Sequence, residues 1–296
     1  MTDETTTKTM STQDTQAQLF GEPSGNNVTI ETSGRTIRPL MSIPSALVDE
    51  AKVRFEAGGM SVRAVDPANV GMVDVTAHPS AFEEFDLGDE EFVAGMNLDK
   101  FESQLANARM GKATDDPVSL DIDGTRSLVT TEREYTLTTL TQTNEVLNID
   151  PDSVRMEPEL PDLVTPCEAT IDVQALTDAL DSVNRVSDHA IVRERDGELV
   201  IAGEGDSDDR TGEYGTVANF GEIVEIRDEE SFNGGEWSRF SLDYFRDMAE
   251  GMKSAKVDDA TLVWGREFPI RLEFERTIDE EVAYEGRYML APRIES

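Results

Sequence analysis

Lysine is scarce in this sequence: six of its 26 basic residues are lysine and the other 20 are arginine. Cysteine occurs once, at Cys167, which excludes an internal disulfide and any cysteine-rich zinc site. The two histidines, His78 and His189, each fall on a turn or at a strand edge. No serine or cysteine partner is suggested near either, so both read as surface residues rather than bases for a nucleophile. No stretch approaches the roughly 18 apolar residues that a membrane-spanning helix needs. The N-terminus shows no basic segment leading into an apolar one, so no secretory signal is expected. These absences point to a soluble protein of the cytoplasm, with no membrane partner.

Acid is what the chain has in excess. Asp and Glu number 62 against 26 Lys and Arg, a formal net charge of −36 over 296 residues. That is roughly −12 per hundred residues, several times what solubility requires. Such a field repels nucleic acid and anionic membrane unless basic groups gather locally. High acidity with little lysine reads as adaptation to a cytoplasm of molar salt, where the Debye length falls to about 3 Å and self-repulsion is screened. The rival reading is an acidic DNA mimic that sequesters DNA-binding proteins. The charge is spread along the chain and not gathered in one tail, which favours solvent adaptation. Asp206-Ser-Asp-Asp209 has the donors for a hard cation, but so acidic a chain forms such clusters by chance. No metal site and no cofactor are expected, and Asp89-Glu90-Glu91 reads as a solvated loop. No catalytic constellation stands out. The expectation is a non-enzyme.

Residues 1–27 are rich in Thr, Gln and Ser and read as a disordered extension. Within it, Gln16-Ala-Gln-Leu-Phe20 is similar to short peptides that dock on replication clamps. Val28 and Ile30 alternate as a strand, and a helical pattern covers about Thr36 to Val48. A hairpin follows, Lys52–Glu56 and Met60–Val65 around Gly58-Gly59. Asn97 reads as the N-cap of a second helix running to about Met110. Strands are expected at Val118–Ile122 and Tyr135–Leu140. Residues 149–166 hold four prolines and read as an extended linker. The same order then returns: a strand, a helix from about Val173, a hairpin turning at Asp196-Gly197, and Ser241-Leu-Asp-Tyr-Phe245 opening a helix as Asn97-Leu-Asp-Lys-Phe101 does. Those two pentapeptides are offset by 144 residues, and the helix-to-hairpin junctions at Val48 and Val186 by 138. A duplicated unit follows. The expected fold is α+β: two domains, 28–148 and 167–296, each an antiparallel sheet carrying two helices.

Several segments resemble the sliding clamps of replication, the proliferating cell nuclear antigen (PCNA) family, in its archaeal, halophilic branch. They are Arg63-Ala-Val-Asp-Pro-Ala-Asn-Val-Gly-Met-Val-Asp74, Ile149-Asp-Pro-Asp-Ser-Val-Arg155, Glu157-Pro-Glu-Leu-Pro-Asp-Leu163 and Tyr288-Met-Leu-Ala-Pro-Arg-Ile-Glu295. The resemblance covers residues 28–296. It implies a homotrimeric, pseudo-six-fold ring around double-stranded DNA, with helices lining the hole and sheets outside. It also implies a clamp loader, a DNA polymerase and other proteins with clamp-binding motifs as partners. Matching positions put Arg35, Arg38, Lys100, Arg109, Lys112, Arg185, Arg246 and Lys253 toward DNA. Ser45, Ser103, Asp181, Asp243 and Glu250 stand where typical clamps are basic, so the hole is less positive than usual. The partner-peptide groove maps to Val65, Val70, Met72, Pro158, Leu160, Pro161, Pro269, Met289, Leu290, Ala291 and Pro292. Subunit contacts map to the edge segments Glu132–Leu140 and Thr211–Ala218, with Arg133, Tyr135, Leu137, Arg210, Tyr214 and Val217; Arg133 and Arg210 would meet acids across the joint. The long N-terminal tail and two departures raise the alternative of a divergent or virus-borne variant that is specialised or needs another clamp subunit. Pro44 inside the first helix should kink or break it, and Thr141–Asn148 looks inserted before the linker.

Overall fold

The computed structural model describes residues 19–21, 23–111, 114–158, 165–205, 215–230, 232 and 234–293. The first half runs β1 (Asn27–Ser33), α1 (Gly34–Ser45), β2 (Glu50–Glu56), β3 (Gly59–Val65), β4 (Gly71–Ala77), β5 (Glu84–Leu87), β6 (Phe92–Asn97), α2 (Leu98–Leu105), β7 (Pro117–Asp123), β8 (Arg126–Glu134) and β9 (Thr139–Leu147). The second half repeats that order: β10 (Cys167–Asp172), α3 (Val173–Val183), β11 (His189–Arg195), β12 (Glu198–Glu204), β13 (Gly215–Asn219), β14 (Glu225–Ile226), β15 (Trp237–Ser241), α4 (Leu242–Ser254), β16 (Asp259–Trp264), β17 (Ile270–Ile278) and β18 (Glu281–Leu290).

Strand pairing repeats with the order. β1 lies between β5 and β7 as β10 lies between β14 and β16, and β2 lies between β3 and β6 as β11 lies between β12 and β15. The register repeats as well: Glu50 pairs with Asn97, and His189 with Ser241. The step from Glu50 to His189 is one longer than the helix-to-hairpin junctions suggest, and the step from Asn97 to Ser241 is the pentapeptide offset itself. The halves differ at one joint. β18 adds to β4, fusing β14-β10-β16-β17-β18 with β4-β3-β2-β6 into a nine-stranded sheet. Among the described residues, sheets β5-β1-β7-β8-β9 and β13-β12-β11-β15 end free at β9 and β13.

Period-two burial makes the strands, as in β4, whose residues alternate buried and half-buried from Gly71 to Ala77. Gly59 and Gly197 permit the two hairpins. Asp196 and Gly197 both have positive φ, as a two-residue turn demands, and a Cβ on Gly59 would lie 2.1 Å from the Ala77 carbonyl oxygen. The helices bury one stripe each, including Ile37, Leu40 and Met41 of α1 and Phe245, Met248 and Met252 of α4. They pack in the row α2–α1–α4–α3, so α1 and α4 join the halves.

Three expectations need correction. Segment 141–148 is no insertion: Thr141 to Leu147 form most of β9, which pairs with β8 along its whole length. Of the strand placed at Tyr135–Leu140, only Thr139 and Leu140 are strand, the start of β9; 135–138 are the tip of that hairpin, which offers no Gly, Pro or Asn to mark a turn. The proline helix also behaves differently. It begins at Gly34, so Pro39 lies past the first turn, and it continues through both prolines. It ends at Ser45, one residue past Pro44 and short of Val48, where the Ala46 and Leu47 amides tighten onto the carbonyls three residues back, those of Ile43 and Pro44.

Candidate functional site

Helix α2 opens as its sequence predicts, with the Asn97 side chain accepting from the Lys100 amide at 2.9 Å. Its counterpart Ser241 makes no such side-chain cap. Across the four helices stand five basic residues (Arg35, Arg38, Lys100, Arg246, Lys253) and seven acidic ones (Asp99, Glu102, Asp178, Asp181, Asp243, Asp247, Glu250), a net of −2. Most of the cations are engaged within the chain. Arg35 reaches Asp279 at 3.5 Å, and Arg38 donates to the Ala108 carbonyl at 2.7 Å. Arg246 binds Asp181 at 2.8 Å, and Lys253 lies 3.5 Å from Glu250. Arg109 forks onto Asp116, whose carboxylate also takes the Arg133 Nε at 3.1 Å. Burial pushes the Asp116 carboxyl up, but these guanidiniums and the Arg109 amide outweigh it and hold the pKa at about 2. Of the residues expected to face DNA, only Lys100 and Arg185 have exposed side chains with no partner among the described residues. Lys112 lies outside the described residues.

On the opposite face of the nine-stranded sheet, Val65, Met72, Met289 and Arg271 stand in one cross-strand row. The neighbouring row is polar: Asp74 bridges Arg63 at 3.2 Å and Arg287 at 3.3 Å. Beside them, Val70 and Pro269 are half-buried, as are Ala291 and Pro292. The Ala291 amide donates to the Val70 carbonyl at 2.9 Å, which brings the chain's last described segment against the β3–β4 turn. Leu290 must be removed from the expected groove. It points to the helix side and is fully buried in the core. Pro158 is half-buried, whereas Leu160 and Pro161 lie outside the described residues.

Residues missed by sequence reading hold this region in shape. Asp66 accepts from the amides of Ala68, Val70 and Gly71 at 2.6–2.7 Å and from the Tyr244 hydroxyl at 2.7 Å. Burial raises its carboxyl, and these four donors together bring it below the ordinary value. Asp-Pro-Ala-Asn is an Asx-turn signal that could have revealed the backbone contacts. Nothing in the sequence marks Tyr244, which belongs to the other half of the chain. The start of the linker is fastened rather than free. The Ile149 amide donates to the Gly95 carbonyl at 2.7 Å, Arg155 bonds the Pro67 carbonyl and Asn69, and Arg54 grips Glu157 at 2.5 and 2.9 Å.

At the free edges, Tyr135, Leu137 and Leu140 project from the β8–β9 hairpin and Val217 from β13, all exposed. Arg210 and Tyr214 lie outside the described residues, as does Asp206–Asp209. Arg133 is committed to Asp116 and the Asn107 carbonyl of its own chain, so an ion pair from Arg133 across a joint is not supported. Cys167 is fully buried, and burial pushes its thiol up to about 12, which leaves it unreactive. Among the described residues, no cluster of His, Cys, Asp or Glu could hold a metal ion, and no helix is long and apolar enough to cross a membrane.

No family model matches the chain. Comparison with curated proteins is decisive. The DNA polymerase sliding clamp of Natronomonas pharaonis is 37% identical over 270 residues, covering 89% of this chain and 97% of that protein. That of Haloarcula marismortui is 34% identical over 272 residues with the same coverage. The chain belongs to the DNA polymerase sliding clamps. Among solved structures, A. fulgidus PCNA bound to the C-terminal region of FEN-1 matches with a TM-score of 0.72 and 30% identity, over 91% of this chain and 99% of that one. PCNA from Thermococcus kodakaraensis has the same fold, with a TM-score of 0.73 at 22% identity, over 90% of this chain and 100% of that one. Within this clamp, the helix row, the Met72–Met289 row and the free edges thus lie on a PCNA-type frame.

Proposed function

We propose that this chain closes with two further copies into a homotrimeric ring that encircles double-stranded DNA without reading its sequence. The ring would tether DNA polymerase and other replication and repair proteins through short clamp-binding peptides, after loading by a clamp loader. It acts as a topological holder and not as an enzyme. Residues 28–148 and 167–296 serve as its two clamp domains and 149–166 as the connector. The observation that carries this reading is the β18–β4 joint. A five-stranded and a four-stranded sheet fuse there into one of nine, and the chain holds a second five-stranded sheet open at β9 and a four-stranded one open at β13. Pairing those two edges between copies repeats the internal joint and leaves neither of them unsatisfied. A helix row with a net of −2 suits a holder that grips DNA weakly, because phosphate contacts supply affinity that sliding does not need. The acidity then follows from solvent, and DNA mimicry has no role left to explain.

Peptides would dock over the Met72–Met289 row, flanked by Val70, Pro269, Ala291 and Pro292, with Pro158 and the linker positions Leu160 and Pro161 above them. DNA would pass Lys100 and Arg185, whose side chains are not engaged elsewhere, with Arg35, Arg38, Arg109, Lys112, Arg246 and Lys253 contributing less. The test is topological retention. The protein is threaded onto linear biotinylated duplex in molar potassium chloride, and streptavidin then blocks both ends. Retention on blocked DNA, with release on cutting the duplex, is the expected result. Equal loss from blocked and open DNA would overturn encirclement.

A further inference from the structure

The duplication sets two arginines in matching places and gives a partner to only one of them. The Ile149 amide bonds the Gly95 carbonyl as the Arg293 amide bonds that of Arg239, so the pentapeptide offset aligns the end of β9 with that of β18. On the first half's outer sheet face, Arg54 pairs across the strands with Val93 and Ser61. By the same offsets its counterpart is Arg193, which pairs with Trp237 and Val200. Val53 and Val192, both fully buried, face the helices, so Arg54 and Arg193 face outward. In the first half the connector runs over this row. Arg54 grips Glu157 through two nitrogens, and Val154 lies buried close over Gly95. In the second half no described residue takes that place.

Arg193 is the one half-buried arginine among the described residues whose guanidinium has no hydrogen-bond or ion-pair partner there. Its Nε is shielded from solvent yet bonds nothing. A desolvated charged donor left unmet is costly, so an incoming acceptor gains more here than at a fully exposed cation. The side chain lines a depression of about 580 Å³ together with Phe232 and the exposed Trp237. The other charges around it are already served. Glu194 accepts from the Gly197 and Gly235 amides at 2.9 and 2.8 Å, which braces the loop beside the depression. Asp196 lies 4.0 Å from Arg195. Arg193 is left as the uncompensated charge.

We propose that this depression is a second docking seat, for an extended acidic segment of a partner protein. A carboxylate of that segment forks onto Arg193, and an apolar or proline residue next to it covers Trp237. The chemistry is that of the connector itself, where Glu157 stands between Met156 and Pro158. The occupant is a partner and not the chain's own continuation from Arg293. A segment leaving Arg293 by the connector's route would cross Arg239, which stands where Gly95 lets the connector lie flat. A Cβ on Gly95 would already come within 2.5 Å of the Ile149 carbonyl oxygen. Molar salt screens exposed ion pairs, but a partly buried one much less. The seat goes beyond the function proposed above. It lies on a different sheet from the Met72–Met289 row and needs no ring to form.

Trp237 supplies the readout, since the only other tryptophan, Trp264, is fully buried. The probe is a synthetic peptide of the connector sequence from Ser153 to Pro161. It is titrated into the full chain in molar potassium chloride while tryptophan emission is followed. A saturable change that vanishes in Trp237→Phe is expected. Arg193→Gln in the protein and Glu157→Gln in the peptide should each weaken binding at least tenfold, and the two together little more than either alone. Arg54→Gln should leave the affinity within about twofold. Arg193→Gln should not alter retention on end-blocked duplex, so this seat and the ring reading stand or fall separately. No saturable change up to millimolar peptide, or binding indifferent to Arg193→Gln, would overturn the seat. Coupling of the peptide's Glu157 to Arg54 instead of Arg193 would move the probe to the connector's own place and equally remove it. Binding that emerges only after Asp206, Asp208 and Asp209 are changed to Asn would give the seat to the chain's own β12–β13 connection and take it from a partner.

Discussion

The joint between the halves and the edges left open at β9 and β13 are built on one plan with different chemistry. The closed joint is buried and locked on its helix-facing side. Tyr288 is fully buried and donates from its hydroxyl to the Ile43 carbonyl of α1 at 2.6 Å, and Tyr284 bonds the Ala255 carbonyl. Gly251 of α4 lets α1 approach closely, since a Cβ there would lie 2.6 Å from the Tyr288 hydroxyl and 2.8 Å from the Ala46 Cβ. In the positions of Tyr288 and Met289, β9 has Asn144 and Glu145. From Thr139 it reads Thr-Leu-Thr-Gln-Thr-Asn-Glu. A strand of that kind tolerates water on its free side. The difference teaches that the chain invests burial in the joint that never opens. On the ring reading proposed above, the edge that would join another copy stays polar along β9, with its exposed apolar groups gathered at the β8–β9 hairpin tip.

Breaking the closed joint should therefore unfold the protein, while breaking the open one only changes its mass. Gly251→Val drives a branched side chain into Tyr288 and Ala46. The expected cost is on the order of 3 kcal/mol, a fall in melting temperature of roughly 5 °C for a chain of this size. Calorimetry in molar salt checks it, and an unchanged Tm would mean that the α1–α4 contact is looser than the geometry says. Tyr288→Phe should cost less, about 1 kcal/mol, because it removes one buried hydrogen bond and leaves a carbonyl with a weaker partner.

Acid should loosen the same joint through Asp66. Its folded pKa lies below the ordinary value, so the stability it contributes is fully present above about pH 4 and is lost as pH falls through the lower folded value. Asp66→Asn lacks the charge that its four donors serve. The variant should melt below the wild type at pH 7, by about 1–2 kcal/mol, and the gap should narrow as pH falls below about 4. Thermal melts of both proteins across that acid range measure it. A constant gap would show that the charge of Asp66 is not what holds the β3–β4 turn to Tyr244.

How much of this is legible in the sequence depends on the range of the interaction. The hairpin at Gly58-Gly59, the turn at Asp196-Gly197 and the Asn97 cap are local, and the residues that make them are adjacent in sequence. The duplication is legible through paired pentapeptides, because equal helix starts leave equal N-cap patterns. The β8–β9 turn is not, since Tyr-Thr-Leu-Thr carries no turn residue and its neighbours are as β-prone as the strands. Candidate cations are legible by type, but their engagement is not. Arg109 and Arg133 flank Asp116 at different distances along the chain, and only the fold of β7 and β8 brings all three together. The Met72–Met289 row depends on β18 crossing to β4, a pairing between the two halves of the chain that no local pattern announces.

The smallest expected effect concerns how the chain enters each half. The second half is entered by the linker, where the Arg227 amide donates to the Pro166 carbonyl. The first is entered from the residues just before β1, which sequence composition assigns to a disordered extension. There Arg126 donates to the carbonyls of Phe20 and Gly21, and the Ser24 amide donates to Asp123 at 2.9 Å. The Arg126 side chain is only 13% exposed, so this is a fastening point rather than a surface contact. Arg126→Gln should lower stability by about 1 kcal/mol and leave the oligomeric mass unchanged, because β9 keeps its own pairing with β8. Chymotryptic cleavage beside Leu19 and Phe20 should speed up several-fold as the backbone there loses its anchor. Cleavage at the wild-type rate would mean that β1 alone orders the entry. The contrast between a fastened linker and a fastened extension would then narrow to the linker side.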